Sequence, residues 1–245
     1  MRQIAKEIEN VKRDIVQEIL DGLREVKAHK AGEKTLRNFH RQSHISAKQA
    51  SSSMTNNALY FITGSSGSGK TTLLKGVVKS TYPNLLAYHF DDLGIPSLEE
   101  MNTKYGGPEQ WQAYNAHEWV KKVAQMEDAS LIVLDGQVRP TVILEAANQV
   151  GFPAIHITLI ECSHQERRRR LIEERAQPEL DRLDMYAWAA YLRGQADALS
   201  LEIIDTTHLT LAEAIEKLAN SIAHFAAEAG VRLDRNNETK FSLQS

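Results

Sequence analysis

The chain has 245 residues, 42% apolar and 25% charged, with a formal net charge of −3, enough for one full α/β domain plus an appendage. The slightly acidic balance supplies no global attraction to nucleic acid or to an anionic membrane surface. A single cysteine, Cys162, excludes an intrachain disulfide framework and leads us to expect a reducing, cytoplasmic setting.

In chain order, residues 1–28 set Ile4, Ile8, Val11, Ile15, Ile19, Leu23 and Val26 at steps of three and four. That is the stripe of an amphipathic helix, weakened in its middle by Asp21-Gly22. Its acids within an amphipathic pattern do not read as a signal peptide, and no apolar run approaches transmembrane length. A lone amphipathic helix cannot bury its stripe. The arm is therefore expected to dock on the main domain, on a second copy as a homodimer, or on a protein partner. Residues 19–37, beginning Ile19-Leu20-Asp21-Gly22-Leu23-Arg24-Glu25-Val26 and ending Thr35-Leu36-Arg37, resemble the N-terminal segment of helix-turn-helix antitoxin regulators. Residues 38–57 are rich in Ser, Asn, Gln, His and Lys and read as a flexible linker. The expected division is an arm over 1–37, a linker over 38–57, a main domain over 58–229 and a polar tail over 230–245.

The main domain is organised by Gly64-Ser65-Ser66-Gly67-Ser68-Gly69-Lys70-Thr71. This stretch follows the apolar run Ala58-Leu59-Tyr60-Phe61-Ile62-Thr63 and opens an amphipathic segment over residues 72–79. Strand, glycine-rich turn, helix is the context of a phosphate-binding loop. Glycines let consecutive backbone N–H groups curl around phosphate oxygens, and the helix aims its positive dipole end at the same anion. Lys70 reaches the terminal phosphates, and the Thr71 hydroxyl suits Mg²⁺. Residues Gly64, Ser65, Ser66, Gly67, Ser68, Gly69, Lys70, Thr71 and Thr72 are the expected ATP contacts. The bland alternative, a Gly/Ser linker, does not follow an apolar strand.

Beyond it, Leu85-Leu86-Ala87-Tyr88-His89-Phe90 reads as a second strand ending on Asp91-Asp92. Ser97-Leu98-Glu99-Glu100 is a capped helix start, and residues 109–127 form a long helix with Trp111, Tyr114, Trp119, Val120 and Val123 as apolar positions. Leu131-Ile132-Val133-Leu134 is a fully buried third strand running into Asp135. A helix over 141–150, a strand over 154–160, a helix capped by Ser163, a helix over 178–200, a strand over 201–205 and a helix over 211–228 complete the pattern. The prediction is an α/β P-loop NTPase fold with a five-stranded parallel sheet, helices on both faces, and the N-terminal amphipathic helix added. Ligands belong at the carboxyl ends of the strands, where the loop, Asp91-Asp92 and Asp135 all fall.

Asp135 closes an apolar strand, a dry setting in which a carboxylate binds Mg²⁺ directly or through water; its bland reading is a helix cap. The next residue is Gly136 rather than a water-activating Glu, which favours transfer to a bound acceptor over hydrolysis. Leu134-Asp135-Gly136-Gln137-Val138-Arg139 resembles the third strand of adenylate kinases. With the P-loop it places the chain near the nucleoside-monophosphate-kinase-like branch of P-loop kinases, over residues 58–229 in element order. The resemblance implies a phosphoryl or acceptor contact at Arg139, against a helix salt bridge as the alternative. It also implies charge stabilisation from Arg170 and Arg175, with Arg167 a third candidate in the run Arg167-Arg168-Arg169-Arg170. A carboxylate after strand two is similar to small-molecule kinases of that branch. Asp91 and Asp92 thus read as orienting an acceptor hydroxyl and taking its proton. Alternation along a strand sends one of them into the site, in our reading Asp91; a solvated turn pair is the alternative.

His89, His156 and His164 have no partners at metal or catalytic spacing and read as core or surface residues. Trp111, Tyr114 and Trp119 read as core, in the segment that walls the acceptor pocket. The leading function is a Mg-ATP-dependent kinase for a nucleoside, nucleotide or sugar acceptor. A regulatory ATP-binding protein and a toxin-type kinase tied to the antitoxin-like arm stand as alternatives.

Overall fold

The computed structural model describes residues 57–83, 85–126 and 130–234. The N-terminal arm with its antitoxin-like piece, nearly all of the linker and the last residues of the tail lie outside the described residues.

Strand β1 (Ala58–Thr63) is buried along its whole length, because it runs through the middle of the sheet with helices on either side. Side chains alternate along a strand. Ala58, Tyr60 and Ile62 pack with Leu73, Leu74, Leu218 and Ile222, whereas Leu59 and Phe61 pack with Trp119, Val120, Val142 and Ile143. Two cores on two faces explain an unbroken apolar run where a one-sided sheet would alternate with polar residues. Strand β3 (Leu131–Gly136) divides the same way, Val133 to one face and Ile132 and Leu134 to the other.

With β2 (Leu86–His89), β4 (Ile155–Glu161) and β5 (Glu202–Asp205), the sheet has the order β2-β3-β1-β4-β5, and every pairing is parallel. Helices α1 (Lys70–Ser80), α2 (Pro108–Ala124), α3 (Pro140–Val150), α4 (His164–Arg169), α5 (Leu183–Leu199) and α6 (Leu211–Glu228) connect and cover it. This is the P-loop α/β fold expected from the sequence. The chain leaves β1 with β3 on one side and β4 on the other, so the strand order reverses at β1. Such switch points open a crevice at the carboxyl edge, and the glycine-rich loop sits in it.

Three local expectations change. Asp91 and Asp92 lie on a 3₁₀ turn, Phe90–Leu93, rather than on a strand, because Asp92 Oδ2 accepts the backbone N–H of His89 at 2.7 Å and curls the chain. The helix expected over 178–200 starts at Leu183, after a 3₁₀ turn at Pro178–Leu180. There Asp184 accepts from the Met185 N–H and from the Arg182 guanidinium, which fixes the first turn. In α2, Trp119, Val120 and Val123 are core as expected, but Tyr114 is 51% exposed. At the other end of the unit Val231 is buried against α6.

Candidate active site

The loop between β1 and α1 keeps its shape through its glycines. Gly64 has φ +154°, and a Cβ there would lie 2.2 Å from the Ile160 carbonyl oxygen of β4, so no side chain fits. Gly69, at φ +100°, is the left-handed residue that turns the chain into α1. The first N–H groups of α1 have no partners within the helix and face the loop's mouth. Lys70 bends back over this turn, its Nζ donating to the carbonyls of Gly64 at 2.7 Å and Ser65 at 3.1 Å. Burial pulls the Lys70 ammonium down to about 8, against the attraction of Asp135 and with help from the charges of Arg175 and Arg167. Ser68 Oγ is buried inside the same turn with no hydrogen-bond partner.

At the tip of β3, Asp135 is 3% exposed. The Thr71 hydroxyl donates to its Oδ2 at 2.7 Å, and His89 Nδ1 hydrogen-bonds its Oδ1. An ionised carboxylate only accepts, so the ring nitrogen is the donor. This corrects the reading of His89 as an unpartnered core or surface residue. The strand register pairs His89 directly with Asp135, and paired residues project to the same face. No spacing of types in the sequence carries that pairing; the offset between β2 and β3 does. Thr71 and Asp135 together present two hard oxygens beside the loop, a set that suits Mg²⁺, which takes one or two protein ligands and completes its shell with phosphate and water. Gly136 is sterically reserved, since a Cβ there would meet the Phe90 Cβ at 2.6 Å. A water-activating Glu has no room at this position.

Beyond the end of β2, the Phe90 carbonyl is clamped by Asn115 Nδ2 at 3.0 Å and Trp119 Nε1 at 2.9 Å, which holds the turn carrying Asp91. Withdrawal from water, and then the charges of Asp135 and Asp92, push the Asp91 carboxyl up, while His89 and Lys70 pull it down. Asp91 is therefore within electrostatic reach of both Asp135 and Lys70. Asp92 instead turns back onto the His89 N–H. Arg139 caps the start of α3, buried, with Nη1 3.4 Å from Glu109 Oε1 and Nε without a hydrogen-bond partner. Beyond Leu93 opens a cleft of about 690 Å³ whose walls include Ile95, Tyr105, Trp111, Tyr114 and Lys122.

The four-arginine run sorts itself by helical geometry, about 100° per residue. Arg168 and Arg169 are exposed and pair with Asp181 and with Glu166 and Glu174. Arg167 and Arg170, three residues apart, face inward. Arg167 Nη2 donates to the Cys162 carbonyl at 3.1 Å. Arg170 donates to the Ser68 carbonyl at 3.1 Å and to Thr206 Oγ1 at 3.0 Å, with Glu166 on its Nε at 2.8 Å. It thereby ties the phosphate loop to the segment after β5. Arg175 is exposed, and its charge reaches Lys70. A pocket of about 290 Å³ lies here, lined by Gly69, Thr72, Arg170, Arg175, Thr206 and Leu209 among others.

The chain matches no family model and no curated protein. Among solved structures it is similar to a gluconokinase from Sinorhizobium meliloti 1021, at 13% identity and TM-score 0.47, covering 71% of this chain and 96% of that one. It is also similar to a shikimate kinase from Acinetobacter baumannii, at 12% identity and TM-score 0.45, covering 72% and 96%. A thymidylate kinase from Candida albicans aligns at 13% identity and TM-score 0.43, covering 75% and 99%.

Proposed function

We propose that the chain is a phosphotransferase that moves the γ-phosphoryl group of ATP to a small-molecule acceptor of nucleoside, nucleotide or sugar type. The observation that carries this reading is the grouping of Lys70, Thr71, Asp135 and Asp91 at one crevice, with donor chemistry on one side and a carboxylate on the other. Lys70 exchanges its two loop carbonyls for the β- and γ-phosphate oxygens. The N–H groups of residues 65–71 hold the same phosphates. Thr71 and Asp135 would hold Mg²⁺, which would supply positive charge to the transferring group. Asp91 accepts the proton of the acceptor hydroxyl as its oxygen bonds to the γ-phosphorus and the bond to the bridging oxygen breaks. A carboxyl pushed up by burial, and then by the charges of Asp135 and Asp92, is the better proton acceptor. Arg175 and Arg170 supply positive charge on the loop's flank, and Arg139 a cation on the acceptor side. The aromatic-walled cleft beyond Leu93 takes the body of the acceptor.

A steady-state assay with labelled ATP and a panel of nucleosides, nucleotides, sugars and amino sugars tests the reading. Label should move to one class of acceptor, and Lys70→Ala should abolish the transfer. Transfer that survives this change, or tight ATP binding with no transfer to any acceptor, would sink the proposal.

A further inference from the structure

Among the described residues around the phosphate loop, His89 has a role that neither a sequence motif nor the proposed chemistry uses. It is the last residue of β2, the edge strand, and lies in register with Asp135 at the tip of β3. Two of its groups are committed. The backbone N–H holds Asp92 Oδ2 at 2.7 Å, and the ring Nδ1 holds Asp135 Oδ1. Asp135 is thus held at both oxygens, by His89 on Oδ1 and by the Thr71 hydroxyl on Oδ2 at 2.7 Å. A carboxylate with one hydrogen bond rotates about its terminal torsion, which is broad and soft. One with a fixed donor on each oxygen does not. Asp135 is 3% exposed, so water contributes little to its orientation, whereas the His89 side chain is 43% exposed and reaches in from the rim.

We infer that His89 is a positioning residue for the metal-binding carboxylate. Its Nδ1–H holds Asp135 Oδ1, so that Oδ2 and the Thr71 oxygen stay turned toward the phosphate loop. This deepens the nucleotide reading above and rests on it. The arrangement is the counterpart of the hydrogen-bonded partners that orient metal ligands elsewhere, whose removal costs about 10–100-fold in metal affinity. The same residue connects the donor side, where its ring holds Asp135, to the acceptor side, where its backbone N–H shapes the turn that carries Asp91.

The experiment uses the full chain and four versions of it: unaltered, His89→Ala, His89→Asn and His89→Gln. Binding of a fluorescent ADP analogue is measured with Mg²⁺ titrated from zero, beside thermal melting of each protein. Asn carries its N–H near the place of the imidazole Nδ1, and Gln carries one near the place of Nε2. His89→Ala should raise the Mg²⁺ concentration at half-effect by about 10-fold or more, while affinity without metal stays within about twofold, since Lys70 and the loop are untouched. His89→Asn should restore the Mg²⁺ response and His89→Gln should not. An unchanged Mg²⁺ response in His89→Ala overturns the inference. So does equal rescue by Asn and Gln, or an equal loss of affinity with and without metal, which would mark His89 as only structural. Should His89→Ala fail to fold, the Asn and Gln pair decides the matter. An unaltered chain that binds no nucleotide would remove the phosphate-loop reading itself, and this inference with it. Mg²⁺-dependent binding indifferent to residue 89 would remove only the inference.

Discussion

Lys70 sits inside the phosphate loop with its ammonium on two carbonyls, and burial brings its pKa to about 8. The folded value lies below the unfolded 10.5, so the unfolded chain binds more protons between the two. Without nucleotide, stability should therefore rise as pH climbs from about 8 to 10.5 through this residue. Phosphate favours the charged ammonium. ATP binding near pH 8.5 should then take up a proton at Lys70, a signal that calorimetry in buffers of different ionisation heat would detect and that Lys70→Met should erase. Asp91 and Asp92 make a second residue-scale contrast. Asp91→Asn should cost about 10²–10⁴ in transfer rate with ATP affinity unchanged. Asp92→Ala should act through the turn, costing about 0.5–2 kcal/mol of local stability on the scale of a lost cap. Equal rate losses in steady-state kinetics would count against the assignment of Asp91 as base.

At the scale of elements, the turn at Phe90–Leu93 is held from two directions. Asn115 and Trp119 of α2 clamp the Phe90 carbonyl, and the bare Gly136 of β3 leaves room for the Phe90 side chain. Gly136→Ala would put a Cβ 2.6 Å from Phe90 Cβ and so displace the turn that carries Asp91. We expect transfer to fall at least tenfold while binding of an ATP analogue changes little, because the phosphate loop itself is unaffected. A parallel loss of nucleotide binding would mean that β3 had moved as a whole. The long helix α2 was legible from its apolar spacing, and its buried set Ala116, Trp119, Val120 and Val123 follows that period. The 3₁₀ turn was not, since it depends on an Asp92 carboxylate reaching a backbone N–H rather than on any periodic pattern.

Across the whole molecule, a second polar cluster joins β1, β4, β5 and α6, away from the phosphate loop. Tyr60 Oη bonds Thr158 Oγ1 and Ser221 Oγ at 2.6 Å each, while His156, Thr158 and Ser221 all hold Glu202. Burial alone would push Glu202 up, but hydrogen bonds from His156, Ser221 and Thr158 outweigh it and bring the group down to about 2. Its folded value is depressed, so the stabilisation is complete above about 4.5 and is lost as pH falls toward 2. Glu202→Gln should flatten that part of an acid-unfolding curve followed by circular dichroism; an unchanged curve would place acid sensitivity elsewhere. The sheet, its core clusters and the residues gathered at the glycine-rich loop are all among the described residues, 57–234. Removal of residues 1–50 should therefore leave nucleotide affinity unchanged, and affinity lost with the arm would reveal a contribution from it to the site.

The sequence by itself determined the glycine-rich turn between strand and helix, the five-strand alternation, the buried central strands and the carboxyl-edge location of Asp91 and Asp135. All of these depend on local periodicity and on residue types that a turn or strand demands within a few positions. Only the tertiary structure decided which side chains meet: His89 with Asp135, Arg170 with Ser68 and Thr206, Phe90 against Gly136. Each of these pairs joins separate elements, from 36 to 102 residues apart for the polar contacts. Such contacts are set by strand register and helix rotation, and neither is written in the spacing of residues along one element.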